Sequence, residues 1–327
     1  MKAISLFSGV GGLDLGLHAA GIETVQFVEI DKHASGVLAY HWPHTPIHDD
    51  VTTFNPKDFH GRVDIVHGGS PCQDLSVAGK RKGLDGERSG LFWHQCRIAD
   101  AVAAPWVLWE NVVGALNSSN GADFAAVLWG LTGALPDVPD GGWRSSGVCV
   151  GPKRTAVWRL FDAQYCGVAQ RRRRVFVVAG PRNGRAIEVL LEPESVCRDS
   201  VPSRQAGEET AGTSGSGSGG RGRMPGRLIA FRMQAFGQYV DGAVASTLKA
   251  RDGKGATDLV VTDSGVRRLT PREHERLMGW PDDHTLYRRF DGEVVENADS
   301  HRYKGCGNGV VAPNAEWIGR RLVEVAA

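Results

Sequence analysis

Three stretches of the 327-residue chain carry side chains suited to chemistry. In H-G-G-S-P-C-Q-D-L-S-V-A-G-K-R-K-G-L, from His67 to Leu84, an apolar run delivers Cys72 into a glycine-rich loop, with Lys80, Arg81 and Lys82 close behind. Solvent access and nearby positive charge favour the thiolate, the nucleophilic form of cysteine. A lone cysteine is usually an inert thiol, but the flanking proline and polar turn argue against a packing role. In W-E-N-V, from Trp109 to Val112, Glu110 follows an apolar run directly and is a candidate general acid, with Asn111 placed to orient it. The competing reading is a structural ion pair with an arginine, since a buried carboxylate without a partner is costly. In F-S-G-V-G-G-L-D-L-G, from Phe7 to Gly16, glycines permit a sharp turn and a close approach to a ligand, and the helix they open points free N–H groups the same way. The turn suits a dinucleotide or S-adenosylmethionine, or a plain strand-to-helix connection. Glu29, in V-E-I-D about 20 residues later, stands where an acid binds ribose hydroxyls. Asp31, Asp49 and Asp50 crowd this region and favour a cofactor without phosphate.

Positioning these residues requires strands that end at one edge. Ala3 to Phe7, Glu23 to Ile30, Val63 to His67 and Trp106 to Trp109 read as strands, and Leu13 to Ala20 reads as a helix. Strand, turn, helix, strand predicts a parallel sheet wrapped by helices, with ligands beyond the carboxyl ends of the strands. Residues 1–181 form this catalytic and cofactor-binding part. From Arg182 the periodicity fades, and residues 182–266 are expected to form a smaller insert. Within it, Thr210 to Gly222 (T-A-G-T-S-G-S-G-S-G-G-R-G) is predicted to be a flexible loop, and Phe231 to Asp252 its best-ordered part. Leu269 to Met278 and Ala315 to Val325 return to helical spacing, so residues 267–327 rejoin the first part.

Hydrophobic residues at 41% and charged residues at 23% exclude collagen-like and wholly disordered chains. No apolar run reaches the roughly 18 residues of a membrane span, and no signal-peptide core is present, which predicts a cytoplasmic protein. The 6 cysteines are scattered without a C-x-x-C pair, arguing against a disulfide framework and against a metal site. A net charge of +1 hides an asymmetry: residues 1–143 hold 9 Lys/Arg against 16 Asp/Glu, while Arg144 to Arg185 hold 10 basic residues against Asp162 alone. A basic half beside an acidic half fits one surface meeting a polyanion; the plainer alternative is a solvated basic face.

In order along the chain, F-S-G-V-G-G, S-P-C-Q-D-L-S, W-E-N-V, Q-R-R-R-R-V-F, R-R-L-T-P-R-E-H-E-R-L-M-G-W-P and G-N-G-V-V resemble the motifs of the DNA (cytosine-5) methyltransferases. The resemblance runs from Ile4 to about Leu322, apart from the insert. It implies an α/β fold with a Rossmann-like S-adenosylmethionine-dependent methyltransferase sheet and a smaller target-recognition domain inserted before the C-terminal helices. It implies Cys72, Glu110, Asn111, Gln170, Arg172 and Arg174 as catalytic-pocket residues, with Arg172 and Arg174 on one face of a strand and Arg171 and Arg173 on the other. Cofactor binding would fall to Phe7, Gly9, Gly11, Gly12, Glu29, Ile30, Asp50, Val51, Pro71, Leu91 and Asn308, with Asp50 accepting from the adenine amino group. DNA contacts would come from Gln73, Ser76, Arg232, Gln234, Thr247 and Arg251. The resemblance implies double-stranded DNA as a partner, either with a cognate restriction endonuclease as the modification half of a restriction system or without one as an orphan or phage-type methylase, the enzyme being a monomer. The chain departs from the family pattern at Asp74-Leu75, at Ile30, where an aromatic often stacks on adenine, and at Gly309, where serine is common. A tRNA cytosine methyltransferase shares these motifs; a binding module without catalysis and a nicotinamide dehydrogenase leave the P-C-Q loop unexplained.

Overall fold

A computed structural model describes residues 1–71, 90–191, 229–235, 238–241, 244–250, 252, 258–262 and 265–327. The Gly/Ser stretch 210–222 and Cys72, Gln73, Ser76 and Arg251 lie outside them, so the expectations placed on these are not addressed by the structure. The elements in chain order are β1 Lys2–Leu6, α1 Gly12–Ala19, β2 Glu23–Val28, α2 Lys32–His41, β3 Ile47–His48, β4 Ile65–Gly68, α3 Leu91–Ala101, β5 Trp106–Val112, α4 Ala122–Thr132, β6 Ser146–Val150, β7 Thr155–Asp162, β8 Arg173–Gly180 and α5 Arg185–Leu190. There follow β9 Ile229–Ala235, β10 Gln238–Asp241, β11 Asp258–Thr262, β12 Gly265–Arg268, α6 Pro271–Leu277, β13 Tyr287–Phe290, β14 Glu293–Glu296, α7 Asp299–Asn308 and α8 Ala312–Ala326.

An 8-stranded sheet with the order β3-β2-β1-β4-β5-β8-β7-β6 organises the large part. Its β3 to β5 half is parallel, as the sequence predicts, and β1, β4 and β5 are almost wholly buried because helices cover both faces. The other half differs: β8, β7 and β6 join antiparallel to β5 and to one another, so the sheet is mixed. The strand order reverses between β1 and β4, the switch point at which a crevice opens beyond the strand ends.

Small residues let α1 and α8 approach closely. A Cβ on Gly16 would lie 2.2 Å from the Ala312 carbonyl oxygen, and one on Gly319 would lie 2.7 Å from the Ala20 Cβ. Helix α5 packs on α8 and β7, with Arg321 Nε donating to the Val189 carbonyl at 2.8 Å and Arg159 to that of Leu190 at 2.9 Å. Residues 185–190 therefore pack with the large sheet, although the sequence places them in the insert.

The insert forms a small antiparallel sheet, β10-β9-β11-β12. Ala245 ties it to the large part, accepting from the Arg171 N–H at 2.9 Å and donating to the Ala169 carbonyl at 2.8 Å. Helix α6 starts with a capping box between Thr270 and Glu273, and Pro271 occupies its first turn.

Candidate active site

Because β2, β1, β4 and β5 are parallel neighbours, the residues that follow them gather at one edge. After β1 the chain turns with φ of 53° at Phe7, 55° at Gly9 and 82° at Gly11. A bulky residue in the left-handed region is strained by about 1–3 kcal/mol, and such strain concentrates at ligand sites. Gly11 is required twice over, since a Cβ there would also meet the Trp42 ring at 2.7 Å. A Cβ on Gly12 would strike the Trp280 ring at 2.6 Å, whereas one on Gly9 meets nothing within 4 Å, so the turn faces open space there.

Glu29 follows β2 and grips this turn. Its Oε2 accepts from the Gly9 N–H at 2.7 Å and its Oε1 from the Asp31 N–H at 2.8 Å. Burial raises its carboxyl above the ordinary 4.5, with the two amides opposing the shift. Each oxygen keeps a lone pair for a further donor. Burial would raise Asp31, but the Lys304 ammonium at 2.6 Å and the first amides of α2 hold it below its usual range. Ile30, 73% exposed, presents an apolar surface between the two acids. The Asp50 carboxylate is held low by the Thr52 N–H at 2.8 Å. Val51 is buried, with its carbonyl accepting from Arg97; Leu91 begins α3, and Pro71 and Asn308 are exposed. A strained glycine turn open to solvent, an acid with free lone pairs and an adjacent apolar side chain fit the ribose and adenine of S-adenosylmethionine. Replacing Glu29 with alanine is expected to weaken S-adenosylmethionine binding by about tenfold or more, because a charged hydrogen bond contributes roughly 1.5–3 kcal/mol. Titration calorimetry checks this; unchanged affinity would remove Glu29 from the site.

Glu110 projects from β5 and is buried. Desolvation raises its carboxyl, opposed by Arg174 and then Arg172. The Arg174 Nε lies 3.1 Å from Oε1, close enough for an ion pair but not aligned as a hydrogen bond. A Cβ on Gly69 would come within 2.9 Å of Glu110 Oε2, so the carboxyl rests against the chain that leads into Cys72. Asn111 acts on the same segment rather than on Glu110: its Nδ2 donates to the Ser70 carbonyl at 3.0 Å, while the Trp109 indole donates to Ser70 Oγ at 3.0 Å.

Arg172 and Arg174 both lie near Glu110, whereas Arg171 and Arg173 between and before them are exposed. Arg172, immediately before β8, donates to the carbonyls of Leu248 at 3.1 Å, Gly307 at 2.8 Å and Gly309 at 2.7 Å. Burial, with Arg174 nearby, pushes its guanidinium down to about 9, which leaves it charged at neutral pH. It clamps the insert to the G-N-G turn. Thr247 belongs to the same clamp, its hydroxyl donating to the Arg171 carbonyl at 2.6 Å. Gln170 is fully buried and donates to the Leu277 carbonyl at 3.1 Å, bracing α6. Gly309 also has a physical reason, because a Cβ there would lie 2.5 Å from the Trp280 ring. Replacing Arg172 with methionine should destabilise the fold by about 3 kcal/mol or more, since each buried carbonyl left unpaired costs about 1–3 kcal/mol. Urea unfolding measures this; a midpoint unchanged from wild type would refute the clamp.

The family description "C-5 cytosine-specific DNA methylase" matches residues 1–213 and 223–324. The chain belongs to this family. A type II methyltransferase of Bacillus subtilis, M2.BsuMI, is 30% identical over 98% of this chain and 75% of its own length. A phage P1 protein named a DNA N-6-adenine-methyltransferase is 31% identical over 98% of this chain, which spans 61% of that relative. Among solved structures, Schizosaccharomyces pombe Dnmt2 methyltransferase superposes with a TM-score of 0.65 at 16% identity, covering 99% of this chain and 98% of that one. The methylase fold is thereby shared. The sequence motifs gave no role to Trp42, Trp280 or His284, which press on the glycine turn; the G-W-P following α6 is the one local signal for them.

Proposed function

We propose that this C-5 methylase transfers a methyl group from S-adenosylmethionine to carbon 5 of a cytosine swung out of double-stranded DNA, through a covalent Cys72 adduct. The observation that carries the reading is the buried Glu110 carboxyl, paired with Arg174 and seated against Gly69, three residues before Cys72. Carbon 5 of cytosine is too weak a nucleophile to be methylated directly. The Cys72 thiolate adds to carbon 6 while the Glu110 carboxyl, whose pKa burial raises, holds or protonates ring nitrogen 3 and stabilises the charge that develops. Arg174 fixes the carboxyl, and Asn111 and Trp109 fix the backbone from which the nucleophile's loop departs. The cofactor supplies a methyl group on a sulfonium centre. Once carbon 5 is methylated, its proton passes to solvent, the Cys72–carbon 6 bond breaks and 5-methylcytosine leaves. A duplex hides carbon 6, so the base must leave the stack.

The insert supplies target recognition in this reading, with Arg232, Gln234, Thr247 and Arg251 there and Gln73 and Ser76 beside the nucleophile. A monomer working in the cytoplasm completes the proposal, and the names of the type II relatives support its place in a restriction-modification system. The phage relative's name raises adenine N6 as a second acceptor. An exocyclic amine needs no covalent cysteine, so that chemistry would leave the P-C-Q loop and the Glu110–Arg174 pair without use. Tritiated methyl groups from S-adenosylmethionine should enter duplex DNA and not tRNA; label confined to tRNA would overturn the choice of substrate.

A further inference from the structure

We propose that His284 is a positioning residue for the cofactor turn: its Nε2–H holds the Val10 carbonyl and thereby sets the backbone between Gly9 and Gly11. The proposal rests on the reading of that turn as the S-adenosylmethionine site. His284 is 1% exposed, and its Nε2 lies 2.7 Å from the Val10 carbonyl oxygen. A carbonyl only accepts, so Nε2 carries the hydrogen. Burial, with His41 as the second cause, pushes the imidazole down to about 4, so at neutral pH the ring has one proton and spends it on Val10. The other nitrogen, Nδ1, is buried without a hydrogen-bond partner among the described residues. A side chain serving only to fill space would be better apolar here, because an unpaired buried acceptor is unfavourable.

The surroundings hold the ring in place. His41 stacks on it with centroids 4.2 Å apart, and His41 Nε2 lies 2.7 Å from the His284 main-chain oxygen. Trp280 and Trp42 meet the ring edge-on at 5.5 and 6.3 Å. These are the indoles against which Gly12 and Gly11 pack. Val10 itself is buried. The turn is thus gripped from α2 on one side and from the segment after α6 on the other, with one hydrogen bond fixing the carbonyl between the glycines.

Glutamine and asparagine separate positioning from bulk packing. The terminal amide nitrogen of glutamine can occupy the place of Nε2, whereas that of asparagine falls near Nδ1 and cannot reach Val10. His284→Asn is expected to weaken S-adenosylhomocysteine binding about five- to tenfold and to raise KM for S-adenosylmethionine in parallel. Its kcat at saturating cofactor and its KM for DNA should stay within about twofold of wild type. His284→Gln should restore the cofactor affinity. Equal affinities in the two variants, or a loss shared between cofactor and DNA, would overturn the role, whereas a wild type that binds no S-adenosylhomocysteine would overturn the cofactor reading beneath it. Nitrogen-15 spectra of histidine-labelled wild type give a check that does not depend on a variant folding. A neutral Nε2–H tautomer at His284 is expected, and an imidazolium or an Nδ1–H tautomer at neutral pH would refute the proposal.

Discussion

Replacing Cys72 with serine should lower methyl transfer by about 10⁴-fold or more, the scale on which covalent enzymes lose rate when the nucleophile is removed. A serine hydroxyl is almost wholly protonated at neutral pH and is a far poorer nucleophile than a thiolate. Binding of cognate DNA and of S-adenosylhomocysteine should be retained, because the substitution changes one atom and the glycine turn and Glu29 follow other strands. The direct check is trapping: an oligonucleotide with 5-fluorocytosine at the target should form a denaturation-resistant complex with wild type and none with the variant. Fluorine blocks the loss from carbon 5 that releases the enzyme. Near-normal turnover by the serine variant would take Cys72 out of the mechanism.

The Glu110→Gln variant is expected to lose about 10² to 10⁴ in kcat, with little change in KM for the cofactor. Glutamine fills the space but has no ionisable proton, and it removes the charge that pairs with Arg174. The same substitution has a signature in stability. Because burial raises the Glu110 carboxyl above 4.5 in the fold, the native protein keeps a proton that the unfolded chain releases. Stability attributable to this group therefore falls as pH rises from about 4.5 towards the native pKa, and the glutamine variant should show a flatter profile there. Denaturant midpoints across that interval in both proteins give the comparison. A steeper profile in the variant would mean that the carboxyl is held low by Arg174 and cannot act as the acid.

In the parallel half β1, β2, β4 and β5 were legible because they are mostly buried and run into polar, glycine-rich or acidic residues, whereas the two-residue, half-buried β3 carried no such signal. The antiparallel half was not legible. Val175 to Ala179 is as apolar as a parallel core strand, and direction depends on connections that hydropathy does not encode. Glu110 was legible as an acid, yet both readings kept open for it meet in the structure, where it is ion-paired to Arg174 and also desolvated. In R-R-R-R the exposed Arg171 and Arg173 alternate with Arg172 and Arg174, which both lie near Glu110. What no local pattern could show is that Arg172 meets the carbonyls of Leu248, Gly307 and Gly309, 76 to 137 positions away. The grip of His284 on Val10 joins residues 274 positions apart, and no local pattern reports a contact of that separation.

Nucleoside mass spectrometry of plasmid DNA from cells expressing the wild-type chain and the Cys72→Ser variant tests the central claim most directly. A host lacking its own DNA methylases keeps the background clear. The account predicts 5-methyldeoxycytidine in the wild-type sample, none in the variant sample, and no N6-methyldeoxyadenosine in either. N6-methyldeoxyadenosine with no 5-methyldeoxycytidine, or equal 5-methyldeoxycytidine from both proteins, would contradict it.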